Sequence, residues 1–190
     1  MNDERRYHEV LIAGFGGQGV VLAGQLLAMA ALAEKREVVW APSYGPEMRG
    51  GPVHCTIIIS SERIGSPEVS SADSLLLMDR AAADRFAHRV KPGGLLIYNT
   101  TLIPEAPGLV GQELDSCPPE LLALPAGELA ETLGDLRVAN VVMLGAFLKR
   151  RPVVAKDSLI EAMRSTAGKA FAHLLEINLN ALARGEELAG

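Results

Sequence analysis

A glycine-rich loop near the start of the chain combines residue types and spacing that could do chemistry. Gly14, Gly16 and Gly19 satisfy the pattern G-x-G-x-x-G between an apolar run and a segment with helical periodicity. Such a loop brings backbone N–H groups and a helix N-terminus to a phosphate. We expect Gly14 to allow a tight turn, Gly16 to admit a ligand, and Gly19 to let the helix pack closely. The alternative is that the glycines only make a strand-to-helix turn.

The residues after the loop argue against a free-standing NAD-dependent dehydrogenase. A dinucleotide site needs an acidic residue about 20 positions on, at the end of the second strand, to hold a ribose. The predicted second strand, 37–41, ends apolar, and Glu37 stands at its start. A phosphate or another polyanionic ligand therefore fits the loop better than a dinucleotide does.

A second dense segment, 41–52, follows the second predicted strand. It contains Tyr44, Glu47, Arg49, Gly50 and Gly51. We expect it to emerge at the carboxyl edge of the sheet beside the glycine loop, where ligands of open α/β sheets bind. Arg49 next to two glycines could hold a phosphate or carboxylate in a bidentate fashion. The alternative is an internal contact, between Glu47 and Arg49 or between Arg49 and the backbone, that braces the loop.

Three further positions have both a structural and a functional interpretation. Asn140 begins a predicted helix, where it could cap the helix or point its amide towards the glycine loop. Residues 91–94 are more typical of a helix-to-strand turn than of a second phosphate loop. His54 is more typical of strand packing than of proton transfer. No C-x-x-C, H-E-x-x-H or G-x-S-x-G motif occurs, and the four histidines are scattered, so no metal site is predicted.

The composition indicates one folded domain over residues 1–190. The chain is 48% hydrophobic and 22% charged, which excludes a disordered chain. A net charge of −5 and the lack of a basic block make nucleic acid and anionic membranes poor partners. No apolar run is long enough to span a bilayer and no signal peptide is visible. We therefore expect a cytoplasmic protein in which Cys55 and Cys117 are reduced.

Alternating apolar and amphipathic segments predict a single α/β domain, with a mostly parallel sheet, helices on both faces and a Rossmann-like glycine loop. The predicted strands are 8–13, 37–41, 53–60, 74–78, 95–99 and, at the edge, 120–124. The predicted helices are 18–34, 79–90, 138–149 and 158–184. A capping-box pattern at 158–161 marks the start of the last helix, whose apolar face could be core or subunit interface.

The two loops together resemble the gamma subunit of 2-oxoacid:ferredoxin oxidoreductases. That family carries G-x-G-G-Q-G-V, seen here at 14–20, and then S-Y-G-P-E-x-R-G-G, seen here at 43–51. A strand like 55–60 follows, and a helix like 140–146 comes late in the chain. The likeness spans essentially the whole chain, and its second, nine-residue motif is the specific one.

The resemblance implies a subunit without a catalytic residue, cofactor or metal of its own. In that family thiamine diphosphate, with its magnesium, is held by the alpha and beta subunits. The iron–sulfur clusters lie on a delta or beta subunit. The complex oxidatively decarboxylates a 2-oxoacid, such as pyruvate, 2-oxoglutarate or a branched-chain acid like 2-ketoisovalerate. It forms an acyl-CoA from coenzyme A and passes electrons to ferredoxin.

Under this interpretation both loops face the alpha and beta partners, near the approach of coenzyme A. The ligand-side or subunit-interface candidates are Gly14, Gly16, Gly17, Gln18, Gly19, Tyr44, Glu47, Arg49, Gly50, Gly51 and Asn140. Two alternatives remain. The domain could be a scaffold that touches no small ligand, or it could be the beta subunit of an indolepyruvate:ferredoxin oxidoreductase, which shares the glycine loop.

Overall fold

The computed structural model describes residues 7–45, 51–109, 117–167 and 172–190. Its described residues form one six-stranded sheet with the order β2-β3-β1-β4-β5-β6. The strands are β1 (Tyr7–Phe15), β2 (Glu37–Tyr44), β3 (Pro52–Ser60), β4 (Ala72–Leu77), β5 (Val90–Asn99) and β6 (Glu120–Leu124). All six predicted strands are present, and β6 lies at the edge as the sequence predicts.

The mostly parallel sheet is confirmed, with one antiparallel wing. β1, β4, β5 and β6 pair in parallel, whereas β3 runs antiparallel to both β1 and β2. β2 therefore points in the same direction as β1, and both strands end at one edge of the sheet. We call this edge the carboxyl edge, and the opposite one the amino edge.

The described residues also form six α-helices. They are α1 (Val20–Ala33), α2 (Arg80–Phe86), α3 (Ala126–Thr132), α4 (Ala139–Arg150), α5 (Lys156–Ala167) and α6 (Ala172–Leu188). One hydrophobic cluster lies between the sheet and the layer built from α1, α3, α4, α5 and α6. A smaller cluster lies under α2 on the other face. Helices thus cover both faces as predicted, although α2 is the one described α-helix on its side.

Three local predictions are wrong. Residues 91–94 lie inside β5, where a bulge against β4 absorbs the expected turn. The helix expected over 158–184 is two helices, and α5 begins at Lys156, so the capping-box pattern lies within its first turns. The predicted helix 79–90 is α2 followed by a 3-10 turn over Ala87–Arg89, and α3 was not predicted at all.

Two glycines allow α4 and α6 to cross at backbone contact. A Cβ on Gly145 would lie closer than 3.0 Å to the carbonyl of Leu182, and a Cβ on Gly185 equally close to that of Val142. Because both obstacles are backbone atoms of a packed helix, no side chain can move aside. This crossing fixes α4, whose first turn reaches the glycine loop. Within the described residues, no helix has the length and apolar character needed to cross a membrane.

Candidate functional site

The two loops predicted to meet at the carboxyl edge do meet there. Phe15 at the end of β1 pairs with Pro52, and Tyr44 at the end of β2 pairs with Val53. The backbone N–H of Gly16 donates to the carbonyl of buried Gly51 at 2.9 Å. The glycine loop is therefore tied by its backbone to the end of the second segment.

Gln18 holds the glycine loop from inside. Its side-chain Oε1 accepts a hydrogen bond from the backbone N–H of Phe15 at 2.9 Å, and its own N–H donates to the Phe15 carbonyl at 3.2 Å. A Cβ on Gly14 would lie closer than 3.0 Å to that Oε1 and to the Cβ of Met78. Gly14 lies within β1 and not in a turn, so it is glycine because the space for its side chain is filled.

Asn140 connects the first turn of α4 to the same loop. Its Nδ2 donates to the carbonyl of Gly19 at 2.9 Å, and its side chain is buried. Of the two interpretations for Asn140, the amide directed at the glycine loop is the one observed, since the helix has no side-chain cap. Gly19 has a φ of 75°, and a Cβ there would lie closer than 3.0 Å to Nδ2 of Asn140. Both facts require glycine at this position.

These contacts use two backbone N–H groups of the glycine loop that we expected to face a ligand. The N–H groups of Gly16 and Gln18 are bonded to carbonyl oxygens of the protein itself. Gly17 has a φ of 111° and faces open space, since a Cβ there would meet nothing within 4 Å. The donors that remain are the N–H of exposed Gly17 and those at the start of α1, before Ala23, whose own N–H bonds to the Gly19 carbonyl at 2.9 Å.

Two buried acceptors lie at the same edge. Asp79 follows β4, and its Oδ1 caps α2 by accepting from the N–H of Ala82 at 3.0 Å. Its Oδ2 and the Oδ1 of Asn140 are buried without a hydrogen-bond partner. Among the described residues, this edge therefore holds the carboxylate of Asp79 and the amide oxygen of Asn140. Both carry negative charge or partial charge, which disfavours an anionic ligand close to them. The predicted cation, Arg49, lies outside the described residues, together with Glu47 and Gly50.

An exposed apolar rim surrounds the loop. The exposed fractions are 41% for Phe15, 40% for Leu22 and 57% for Tyr44. Large exposed side chains of this kind, grouped around a rigid loop, are typical of protein interfaces. Phe15 and Leu22 were not among the predicted site residues. The motif does not mark them, because Val20, which stands next to the last glycine, is buried in the core.

His54 and Cys55 of β3 have packing roles and not chemical ones. The ring of His54 lies 4.9 Å from that of Phe86, centroid to centroid, which confirms its packing role, and burial lowers its pKa. Cys55 is buried in β3, where burial raises the pKa of its thiol to about 12. Cys117 is exposed, and both thiols are free. Sequence reasoning missed a cluster of three charged residues at the amino edge, Glu9, Asp73 and Lys91. The available signal was a charged residue near the start of each of three apolar strands.

Comparison with known proteins gives a consistent result. The family model described as pyruvate ferredoxin/flavodoxin oxidoreductase matches residues 9–188. The chain is 40% identical to the ketoisovalerate oxidoreductase subunit VorA of Methanothermobacter thermautotrophicus, over 95% of this chain but 36% of that protein. It is 33% identical to the 2-oxoglutarate synthase subunit KorC of Methanocaldococcus jannaschii, over 95% of this chain and 93% of that protein. The chain thus spans about a third of VorA and nearly all of KorC.

Solved structures share this fold, and the indolepyruvate subunit is a more distant relative. The gamma subunit of a keto/oxoacid ferredoxin oxidoreductase from Geobacter sulfurreducens superposes with a TM-score of 0.78 and 31% identity, covering 96% of this chain and 98% of that chain. A 2-oxoglutarate:ferredoxin oxidoreductase from Magnetococcus marinus, solved with 2-oxoglutarate, coenzyme A and succinyl-CoA, shares the fold with a TM-score of 0.82 at 23% identity, over 97% of this chain and 31% of that chain. The indolepyruvate oxidoreductase subunit IorB of Archaeoglobus fulgidus is more distant, at 28% identity over 93% of this chain and 92% of that protein.

Proposed function

Since this chain belongs to the pyruvate ferredoxin/flavodoxin oxidoreductase family, we propose that it is the gamma-type subunit of a cytoplasmic 2-oxoacid:ferredoxin oxidoreductase. The complex oxidatively decarboxylates a 2-oxoacid to an acyl-CoA and passes the electrons to ferredoxin. The observation that carries this proposal is the family match over residues 9–188, together with a likeness to KorC that covers nearly all of both proteins.

The likeness to VorA suggests what lies beside this domain. In VorA the region equivalent to this chain makes up 36% of one polypeptide, so the remainder is held beside it by the peptide chain. We infer that this domain works beside a region equivalent to that remainder, in the role of an alpha subunit. Thiamine diphosphate with magnesium, and the iron–sulfur clusters, belong to the alpha, beta and delta partners in this proposal.

The carboxyl edge is the surface where we place the partner. Phe15, Leu22 and Tyr44 expose apolar area around a loop that is held rigid by Gln18 and Asn140. A rigid apolar projection loses little conformational entropy on binding, which favours a stable subunit contact. Gly45 and Gly51, the described residues on either side of the segment that contains Arg49, lie at this same edge.

Two roles for the loop follow, and the observed hydrogen bonds favour one of them. A scaffold role needs shape and exposed apolar area, and both are present. A direct role in coenzyme A binding would rest on fewer donors than the motif suggests, because those of Gly16 and Gln18 are bonded within the chain. We therefore assign the described part of the loop to subunit contact. We assign contact with coenzyme A to Arg49.

Substituting the rim tests the proposed interface. A Phe15→Ser, Tyr44→Ser double variant should fold normally, because both side chains are largely exposed, and should lose co-purification with the partner subunits. Leu32→Ser is the matched control, since Leu32 is 59% exposed at the far end of α1. Arg49→Ala should leave assembly intact and reduce acyl-CoA formation. Normal assembly of the rim variant would remove this surface from the proposal.

A further inference from the structure

A cavity of about 470 Å³ lies at the amino edge, at the opposite end of β1 from the glycine loop. Tyr7 and Phe15 are eight positions apart along β1, a span of about 26 Å. The cavity volume falls in the range of small-molecule sites. Its lining is made of Tyr7, His8, Ser60, Glu62, Arg63, Asp73, Lys91, Pro92, Gly93, Gly94 and Arg151. The proposed subunit role of the chain makes no use of this cavity.

A closed set of hydrogen bonds holds one wall of the cavity in place. The ammonium of Lys91 bonds Oε2 of Glu9 at 2.7 Å and Oδ1 of Asp73 at 2.8 Å. The hydroxyl of Tyr7 donates to Oε1 of Glu9 at 3.0 Å, and the backbone N–H of Glu9 donates to Oδ2 of Asp73 at 2.8 Å. Lys91 uses two of its three N–H donors here, so one remains for a ligand.

The remaining walls present polar groups and bare backbone. His8 shares a hydrogen bond with the Ser74 hydroxyl at 2.9 Å, and its burial keeps the ring uncharged at neutral pH. The backbone of Gly93 and Gly94 gives a wall without side chains. Arg63 is exposed at the rim and has no ion pair within the described part of the chain. Arg63 is therefore the cation available to a ligand.

The lining narrows the class of ligand. Pro92 is the main apolar member, so the site does not suit a lipid or an apolar acyl group. The described residues contain no group of three side chains suited to a metal ion. The lining contains both cationic donors and carboxylate acceptors, which matches a small molecule with an anionic group and a hydrogen-bond donor. We propose that this cavity binds a small α-amino or α-hydroxy carboxylic acid.

Each part of such a ligand has a counterpart in the cavity. The carboxylate pairs with the Arg63 guanidinium and the third N–H of Lys91. The α-ammonium or α-hydroxyl donates to the carboxylate of Asp73 or to the Tyr7 oxygen, whose own proton is committed to Glu9. A 2-oxoacid lacks that donor and makes one hydrogen bond fewer with the cavity, which weakens its binding. The site therefore distinguishes amino and hydroxy acids from the corresponding 2-oxoacids.

Calorimetric titration of the full-length chain tests this assignment. The probes are two matched sets: valine, 2-hydroxyisovalerate and 2-ketoisovalerate; and glutamate, 2-hydroxyglutarate and 2-oxoglutarate. At least one amino or hydroxy acid should bind, and its 2-oxoacid should bind at least about tenfold more weakly. Within each set, the affinities of the amino acid and the hydroxy acid also show whether the ammonium or the hydroxyl is the recognised donor.

Variants locate the binding. Arg63→Gln should weaken binding about tenfold, and Tyr7→Phe should weaken it severalfold. Arg137→Gln is the matched control, because Arg137 is an exposed arginine whose ion pair with Asp135 lies away from the cavity lining. Three results would overturn the proposal: no heat with any probe up to about 10 mM, equal binding of a 2-oxoacid, or an Arg63→Gln variant that binds like the control.

Discussion

Replacing Gly19 by alanine should destabilise the domain by about 3–5 kcal/mol in free energy of unfolding. A φ of 75° costs a residue with a Cβ about 1–2 kcal/mol. The new Cβ would overlap Nδ2 of Asn140, so the 2.9 Å bond to the Gly19 carbonyl must break. The lost bond and the stranded buried amide add about 2–3 kcal/mol.

A double-mutant cycle separates the two causes. In an Asn140→Ala background the overlap is absent, so Gly19→Ala should cost only the backbone strain of about 1–2 kcal/mol. The coupling between the two substitutions is then about 2 kcal/mol or more. Urea unfolding of the isolated chain, followed by circular dichroism, measures all four corners of the cycle.

Gly17→Ala is the matched control for backbone strain. Gly17 has a φ of 111°, and a Cβ there would meet nothing within 4 Å, so its cost should not change when Asn140 is removed. If the Gly19 and Asn140 substitutions add within about 0.5 kcal/mol, the contact between them is not what requires glycine, and our explanation of the motif fails.

Other parts of the fold give three more predictions. Gly185→Ala should destabilise by about 3 kcal/mol or more in chemical unfolding, because its Cβ would overlap the Val142 carbonyl; Gly65→Ala, with open space around it, should be nearly neutral. Burial lowers the pKa of His8 from 6.5 to about 4. The unfolded chain therefore takes up this proton first, and up to about 3 kcal/mol of stability is lost as pH falls from 6.5 to 4; an unchanged pH profile in His8→Gln would contradict this. Asp79→Ala should cost about 1 kcal/mol by removing the cap of α2, while Asp79→Asn should cost less; equal losses would show that the cap is not the cause.

Much of the fold could be predicted because its apolar segments are strongly periodic. The run at 74–78 and the alternation in 53–60 indicate buried strands, and both are strands here. The antiparallel pairing of β2 with β3 could not be predicted from the local sequence pattern. The segment that joins the two strands is longer than a tight hairpin turn, so its sequence does not tell a hairpin from a crossover connection. The bulged start of β5 was missed for a similar reason. Gly93 has a φ of 69°, and a glycine with a positive φ occurs both in turns and in β-bulges.

The position of the two loops could be predicted from the sequence, but not the contacts that hold them in place. The sequence places the glycine loop and the end of the second segment at one edge, and the Gly16–Gly51 hydrogen bond confirms this. The purpose of Gly14 and Gly19 could not be read from the motif, because the side chains that exclude a Cβ come from Gln18 and, 121 residues away, from Asn140. A glycine motif alone does not tell a ligand cradle from a loop packed by its own protein.

Purification of the tagged chain from its host, followed by a viologen reduction assay, tests the proposed function most directly. We expect thiamine-enzyme subunits to co-purify and the eluate to reduce viologen with one 2-oxoacid, only when coenzyme A is present. The active 2-oxoacid would also show whether the substrate is the one for which VorA is named, ketoisovalerate, or the one for which KorC is named, 2-oxoglutarate. A chain that purifies alone, and is inactive with every 2-oxoacid, would contradict the assignment as a subunit of this oxidoreductase.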